Sequence, residues 1–181
     1  YEEVTNVPFI FAGPGIKHQK RAVDNILTQP TIDLLPTLCD LAGISVPAEK
    51  PGISIAPTLK GEKQVKKHPY AVSEWHSEYE VIVTPGRMIR SPRYKYTHYM
   101  ECGDEELYDL KKDPGERNNL ARNPKYTRIL AEHRAMLDDY INRTKDDYRT
   151  LKIDADKRWR SHTPGYPNHE GPGARDIINR K

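Results

Sequence analysis

The chain has 181 residues, of which 36% are apolar and 30% are charged, so a folded core must be concentrated in a few segments. Its 29 basic and 26 acidic side chains give a formal net charge of +3. This small excess gives no reason to expect a nucleic-acid partner, which requires a clustered basic face. No apolar run reaches the roughly 20 residues of a membrane span.

The first predicted element is a buried strand at residues 6–12. The run Asn6-Val-Pro-Phe-Ile-Phe-Ala12 is apolar without polar alternation and is closed by Gly13-Pro-Gly15. Such runs are typical of strands that are covered on both faces, as in an α/β sheet. The residues before it are acidic and include no initiating Met, so we expect the chain to be an excised piece of a longer protein or a processed product.

Residues 31–43 predict a helix with Asp33 as its N-cap and Gly43 at its end. Its apolar face would consist of Leu34, Leu35, Leu38, Leu41 and Ala42. Cys39 lies in this pattern and is predicted to be a buried, inert thiol, whereas Cys102 lies in a polar turn. A disulfide between them stays an open alternative, but two cysteines exclude both a disulfide-rich scaffold and a zinc site of four cysteine ligands.

A loop and a series of short strands are predicted next. Residues 45–69 carry four prolines and form the loop, with one helical turn at 56–59. The short segments after it are separated by turn residues, which is typical of an antiparallel meander. The predicted strands are residues 70–75, 79–83, 87–91, 94–99 and 106–110.

A long helix is predicted from Asn123, which would cap it with Pro124 at the first position, to about Thr144. Apolar residues recur along it at helical spacing, namely Tyr126, Ile129, Leu130, Met136, Leu137, Tyr140 and Ile141. From about Tyr148 the pattern fades into a segment rich in Pro and Gly, which cannot form a core alone.

No complete catalytic set is present in the sequence: there is no Gly-x-Ser-x-Gly elbow, P-loop, His-Glu-x-x-His or EF-hand loop. The candidate substrate contacts are Glu74, His76, Arg87 and Arg90. His76 beside Glu74 could make a polar contact or a proton-transfer pair, with an exposed loop histidine as the alternative. Arg87 and Arg90 lie three apart on a predicted strand and so face opposite sides. One of them could hold an anion through two hydrogen bonds, with ordinary sheet-edge charge as the alternative.

Acidic residues also cluster at 109–116. Oxygen ligands in a loop could bind a hard cation such as calcium. The alternative, which we favour, is a turn set by Asp113-Pro-Gly115 with Glu116 in solvent.

Several segments, taken in order, resemble the C-terminal part of a sulfatase of the alkaline-phosphatase superfamily. They are Val7-Pro-Phe-Ile-Phe-Ala-Gly-Pro-Gly-Ile16, Ile32-Asp-Leu-Leu-Pro-Thr-Leu-Cys-Asp-Leu-Ala-Gly-Ile44, Gly52-Ile-Ser-Ile-Ala-Pro-Thr-Leu-Lys-Gly61, Arg87-Met-Ile-Arg90 with Tyr94-Lys-Tyr96, and Glu106-Leu-Tyr-Asp-Leu110 with Asp113-Pro-Gly-Glu116 and Asn119-Leu-Ala121. Glu74-Trp-His-Ser-Glu78 is similar to the sulfamidase and heparan-sulfatase branch. That similarity implies a sulfated sugar as substrate.

The resemblance implies an α/β fold in three parts. Residues 1–69 would be the end of the large α/β domain, with a strand–helix unit of its sheet. Residues 70–145 would be a small C-terminal subdomain, an antiparallel sheet packed by the long helix. Residues 146–181 would be an irregular tail.

The resemblance also implies hydrolysis of a sulfate ester or N-sulfate by a formylglycine nucleophile and a calcium ion. Neither cysteine starts the Cys/Ser-x-Pro-x-Arg motif from which formylglycine is made, and the family's metal ligands precede the strand at residues 6–12. We therefore expect this chain to supply no catalytic or metal-binding residue and to be inactive alone. Its expected partner is the N-terminal part of the same enzyme, and the expected location is periplasmic, secreted or lysosomal.

Two alternatives stay open. A phosphodiesterase or phosphonate hydrolase of the same superfamily would share the fold but transfer a phosphoryl group. A non-catalytic module for anionic polysaccharides would bind heparin-like ligands unaided and with strong salt dependence. The net charge of only +3 argues mildly against such a module.

Overall fold

A computed structural model of the protein describes residues 2–17, 26–46, 51–62, 66–75, 85–100 and 103–150. Within them the chain has an α/β structure of short helices, one four-stranded sheet and one long helix. The elements are α1 (Glu2–Thr5), α2 (Pro30–Ala42), α3 (Ala56–Leu59), β1 (Ala71–Trp75), β2 (Gly86–Arg90), β3 (Tyr94–Tyr99), β4 (Glu105–Asp109), a 3-10 turn (Pro124–Tyr126) and α4 (Thr127–Thr144). No helix in these ranges is long and apolar enough to cross a membrane.

The four strands form one antiparallel sheet in the order β1-β2-β3-β4. Each strand pairs with the next one along the chain, which confirms the predicted meander. β3 has the predicted bounds, and the other three strands differ from theirs by one residue. The strand predicted at 79–83 lies outside the described residues.

Two compact units are distinguished along the chain. The first unit holds the described parts of Tyr1–Val72, Arg90–Tyr94 and Asp109–Arg117. The second unit holds the described parts of Ser73–Ile89, Lys95–Tyr108 and Asn118–Lys181. The domain bounds expected after residues 69 and 145 stay a prediction.

The second unit holds most of the buried apolar side chains. One face of α4 buries Leu130, His133, Leu137 and Ile141 at helical spacing. The His133 ring lies 6.5 Å from the ring of Tyr96 in β3, so this face of α4 lies against the sheet. The apolar sheet residues buried in this unit are Met88, Ile89, Tyr96, Leu107 and Tyr108.

The long helix begins and ends as predicted. Asn123 Oδ1 accepts the backbone N–H of Lys125 at 3.1 Å, and Pro124 opens the 3-10 turn that leads into α4. The helix ends at Thr144, because Lys145 adopts a left-handed conformation with φ of 55°.

In the first unit, α2 begins earlier than predicted. Gln29 and not Asp33 is its N-cap, because Pro30 has its φ fixed in the helical range and has no N–H to satisfy. Asp33 lies within the first turn, where its carboxylate accepts the N–H groups of Gln29 at 2.7 Å and Ile53 at 2.8 Å. Gly43 ends the helix as predicted, with φ of 68°.

The apolar face of α2 is exposed. Leu34, Leu35 and Leu38 keep 42%, 46% and 49% of their surface in solvent, whereas Asp33 and Thr37 are fully buried. The polar side of the helix is therefore covered by the first unit, and its apolar side is uncovered within the described residues. Uncovered apolar helix faces of this kind mark interaction surfaces.

The strand predicted at residues 6–12 is not a strand in the structure. The segment has no regular secondary structure, and Val7 and Ile10 are exposed. A strand needs a neighbour to satisfy its backbone groups, and none of the strands in the described ranges pairs with this segment.

Two polar predictions concern the turn after β4. Asp113 does set the turn, since its Oδ2 accepts the N–H of Arg117 at 2.9 Å. The prediction that Glu116 lies in solvent is wrong. Its side chain is buried, its φ is 51°, and its Oε1 accepts the N–H of Glu2 at 2.6 Å. A long-range contact of this kind has no signature in the local turn sequence.

Only one of the two cysteine predictions can be compared with the structure. Cys39, predicted to be buried, is half-buried and free. Cys102 lies outside the described residues.

Candidate functional site

Three of the four candidate substrate contacts lie in the described residues. Glu74 is the penultimate residue of β1, Arg87 is the second residue of β2 and Arg90 is its last. His76 lies outside the described residues. The structure brings Glu74 and Arg87 together and gives Arg90 different partners.

Arg87 is buried, and its guanidinium is held by several groups. Its Nε and Nη2 donate to the two carboxylate oxygens of Asp146, at 2.7 and 2.9 Å. Its Nη1 donates to the carbonyl oxygens of Gly86 at 3.0 Å and Trp75 at 3.4 Å. Its central carbon lies 4.5 Å from the centre of the Tyr148 ring. Arginine can form this bidentate, stacked arrangement and lysine cannot.

Glu74 is the exposed member of this cluster. Its Oε1 accepts the hydroxyl of Tyr140 at 2.9 Å and lies 3.4 Å from Arg87 Nε. Burial, together with the hydrogen bond to Glu74, raises the pKa of Tyr140 to about 12, so the phenol keeps its proton and donates at neutral pH. Because 44% of the Glu74 side chain is exposed, the result is a solvent-facing carboxylate held by two donors.

The cluster of Glu74, Arg87 and Asp146 carries one net negative charge. The hydrogen bond from Arg87 lowers the pKa of Asp146 below its ordinary value. Burial alone would lower the pKa of Arg87, but the hydrogen bond and charge of Asp146 raise it. Both members of the pair are therefore ionised, and because Asp146 neutralises Arg87, the charge of Glu74 is left uncancelled.

The residues beside the cluster are closely packed. A Cβ placed on Gly86 would lie only 2.1 Å from an atom of the Trp75 ring, so any other residue here would force that ring to shift. The Trp75 ring also makes an edge contact with Tyr99, with ring centres 6.0 Å apart. The backbone next to Glu74 and Arg87 is therefore fixed by ring packing as well as by hydrogen bonds.

Tyr148 holds the chain after α4 in place. Its hydroxyl donates to the carbonyl oxygen of His98 at 2.7 Å. The hydroxyl proton is thereby used, so the ring Nδ1 of His98, 2.9 Å away, donates to the hydroxyl oxygen. Burial lowers the pKa of His98, which favours its neutral ring. Because Tyr148 is fully buried, it fixes the segment that carries Asp146.

Sequence reasoning missed three partners of the cluster. The apolar stripe of α4 includes Tyr140, but the stripe does not indicate that the hydroxyl reaches Glu74. Asp146 and Tyr148 follow the helix and belong to no motif. Asp146 lies 59 positions from Arg87, and no sequence spacing connects the two.

Arg90 belongs to the first unit and pairs with α1. Its Nε and Nη2 lie 3.3 and 3.2 Å from the carboxylate oxygens of Glu2, and its Nη1 donates to the carbonyl oxygen of Ser91. Among the described residues, Arg87 and Arg90 bind different partners, in agreement with the alternation of side chains along a strand. A substrate contact by Arg90 stays a prediction.

The described residues do not fit a calcium site. No group of three or more His, Cys, Asp or Glu in this part of the chain could hold a metal ion. In the acidic segment that begins at the last residue of β4, the carboxylate of Asp109 is bound by Arg93 at 2.9 and 2.6 Å, which lowers its pKa. The described carboxylates are therefore engaged in ion pairs and turns and supply no set of metal ligands.

Comparison with known proteins gives the family. The profile of the N-sulphoglucosamine sulphohydrolase C-terminal region matches residues 1–143. A Delta 4,5-hexuronate-2-O-sulfatase of Bacteroides thetaiotaomicron is 77% identical over all 181 residues. The chain spans only 38% of the length of that relative.

Solved structures agree with this assignment. A 2-O glycosaminoglycan sulfatase superposes with a TM-score of 0.80 at 78% identity, over 94% of this chain and 37% of that one. A protein solved in complex with its substrate D-glucosamine-2-N,6-O-disulfate superposes with a TM-score of 0.58 at 27% identity, over 65% of this chain and 25% of that one. The chain therefore belongs to the sulfatases of the alkaline-phosphatase superfamily and matches their C-terminal region.

Proposed function

We propose that the protein is a sulfatase that removes the 2-O-sulfate from Δ4,5-unsaturated hexuronates of glycosaminoglycans, with this chain as its C-terminal part. The observation that carries the proposal is the 77% identity to a hexuronate-2-O-sulfatase along the whole chain. The same identity favours an ester over an N-sulfate as the bond cleaved, and sulfuryl over phosphoryl transfer.

This chain would contribute substrate binding and not bond cleavage. Formylglycine and calcium, which sulfatases generally use, would supply the nucleophile and a polarising charge in the full-length enzyme. The carboxylate of Glu74 and the ring of His76 would contact the sugar. Arg87 would hold Glu74 and not touch the substrate, since its donors are directed at Asp146, Gly86 and Trp75.

The uncovered face of α2 supports a partner within the same enzyme. Leu34, Leu35 and Leu38 would be buried against the part of the sulfatase that is N-terminal to this chain. The support is twofold: the chain spans 38% of its relative, and three half-exposed leucines on one helix face are costly in water.

The expected location is periplasmic, secreted or lysosomal, as for the sulfatases that the sequence resembles. The described helices add no membrane span. Detection of the protein in a cytosolic fraction alone would contradict this assignment.

The full-length protein is expected to release sulfate from an unsaturated disaccharide whose single sulfate is on O2 of the hexuronate. Release from N-acetylglucosamine-6-sulfate is expected to be at least about 100-fold slower, because the ring position of the sulfate must match the binding groups. Ion chromatography of free sulfate gives both rates. Residues 1–181 alone are expected to release none from either sugar or from an aryl sulfate. A preference for the 6-O-sulfate would overturn the substrate assignment.

Replacing Leu38 with aspartate in the full-length protein is expected to lower both its thermal midpoint and its yield of active enzyme. The reason is that a charge would be buried at the contact between α2 and the N-terminal part. The matched control is Ala131→Asp, at an exposed position of α4, which should change neither. Equal behaviour of the two variants in a thermal-shift assay would show that the α2 face stays in solvent.

A further inference from the structure

We propose that Glu74 is a specificity-determining residue, whose fixed negative charge accepts a hydroxyl of the sugar and rejects substrates with a second sulfate at that place. The inference rests on the proposed sulfatase function and deepens it. It comes from three observations: how the carboxylate is held, what charge it keeps, and how much of it solvent reaches.

One oxygen of the Glu74 carboxylate is held by neighbouring side chains. Tyr140 and Arg87 both approach Oε1, at 2.9 and 3.4 Å. The Glu74 side chain also interacts with that of Asp146, the partner of Arg87. A half-exposed carboxylate with one oxygen fixed is oriented to accept a hydrogen bond from a ligand, and it has little conformational entropy left to lose on binding.

The support of the carboxylate is itself rigid. Arg87 is bound by both oxygens of Asp146 and is stacked on Tyr148. Such a buried bidentate pair is strong only because its geometry is complete. Tyr140 projects from α4, so Glu74 is positioned by the helix as well as by the neighbouring strand.

The charge of Glu74 decides what it can bind. Asp146 already neutralises Arg87, so the cluster keeps one negative charge, and this charge is at the half-exposed carboxylate. A negative group accepts hydroxyl protons well, but a sulfate placed against it is repelled. Glu74 therefore suits a free hydroxyl of a sulfated sugar and opposes an additional sulfate.

The test compares two substrates in the full-length enzyme. Both are unsaturated disaccharides with a 2-O-sulfated hexuronate, and one carries a second sulfate on the neighbouring sugar. Glu74→Gln keeps the shape of the side chain and removes its charge. It is expected to lower kcat/KM for the singly sulfated disaccharide about tenfold, mainly through KM. The value for the doubly sulfated disaccharide should stay constant or rise.

Two further variants separate this role from a structural one. Tyr140→Phe loosens the carboxylate but keeps its charge, so it should raise KM for both disaccharides and leave their ratio unchanged. Glu106→Gln is the matched control, because Glu106 Oε2 also accepts a tyrosine hydroxyl, that of Tyr99 at 3.1 Å, and no arginine ion pair of Glu106 is seen in the described part of the chain. It should alter neither substrate.

The outcomes are distinct. An unchanged ratio of the two kcat/KM values in Glu74→Gln, with an active parent enzyme, overturns the role of Glu74 and leaves the proposed function standing. A parent enzyme without activity on either disaccharide overturns the proposed function itself. A shifted ratio in Glu74→Gln but not in Glu106→Gln supports the proposal.

Discussion

Replacing Arg87 with methionine is expected to lower the free energy of unfolding of the protein by about 3 kcal/mol. Methionine fills much of the volume but leaves the carboxylate of Asp146 without its two donors. It also removes the donor to the carbonyl oxygens of Gly86 and Trp75. Because Trp75 lies beside the cluster, a urea titration followed by tryptophan fluorescence would detect the change.

The pair itself can be isolated by a double-mutant cycle. Asp146→Asn alone should also destabilise, while the double variant should cost less than the sum, since no unpaired charge is left. The control is Arg128→Met, because Arg128 forms an exposed ion pair with Glu132 four residues along α4. Such pairs contribute only about 0.3–0.5 kcal/mol. A similar loss for Arg87→Met and Arg128→Met would show that the Arg87 cluster is not a stabilising element.

The parts of the fold that follow local rules were predictable. β3 alternates side chains between two faces and is bounded by a Ser-Pro-Arg turn, and its bounds are those predicted. The start of α4 depends on Asn123 and Pro124, which are neighbours in sequence and act within one turn. Both elements need no information from distant residues.

The parts that depend on distant partners were not predictable. The leucine stripe of α2 identifies the helix but not what covers it, and here the buried side is the one with Asp33 and Thr37. The apolar run at residues 6–12 has the composition of a strand but has no neighbouring strand in the described ranges. Burial in these segments depends on tertiary contacts and not on the local pattern.

The candidate site shows the same division. The sequence singled out Glu74 and Arg87 by residue type and position, and the structure brings them within 3.4 Å. It could not distinguish an arginine that binds an anion from one that is held by Asp146. That distinction depends on Asp146 and Tyr148, which follow α4 and contact Arg87 from a distant part of the sequence.

Asp33 is expected to be the most sensitive position of the first unit. Its fully buried carboxylate accepts the N–H groups of Gln29 and Ile53 and contacts His68 Nε2 at 2.8 Å. It thereby ties the start of α2 to two later segments of the chain. The segment at Gly52 lies very close to the first turn of α2, since a Cβ on Gly52 would be 1.8 Å from the carbonyl oxygen of Ile32.

Asp33→Ala is therefore expected to cost about 4 kcal/mol, because two partly buried N–H groups and one imidazole lose their acceptor together. The loss should appear as a lower urea midpoint and as faster proteolysis of the first unit. Asp40→Ala is the control within the same helix: Asp40 is exposed, accepts Ser54 at 2.7 Å and lies 3.7 Å from Lys60. Its removal should cost about 0.5–1 kcal/mol. If both variants unfold at the same urea concentration, the three segments are held together by apolar packing and not by the Asp33 carboxylate.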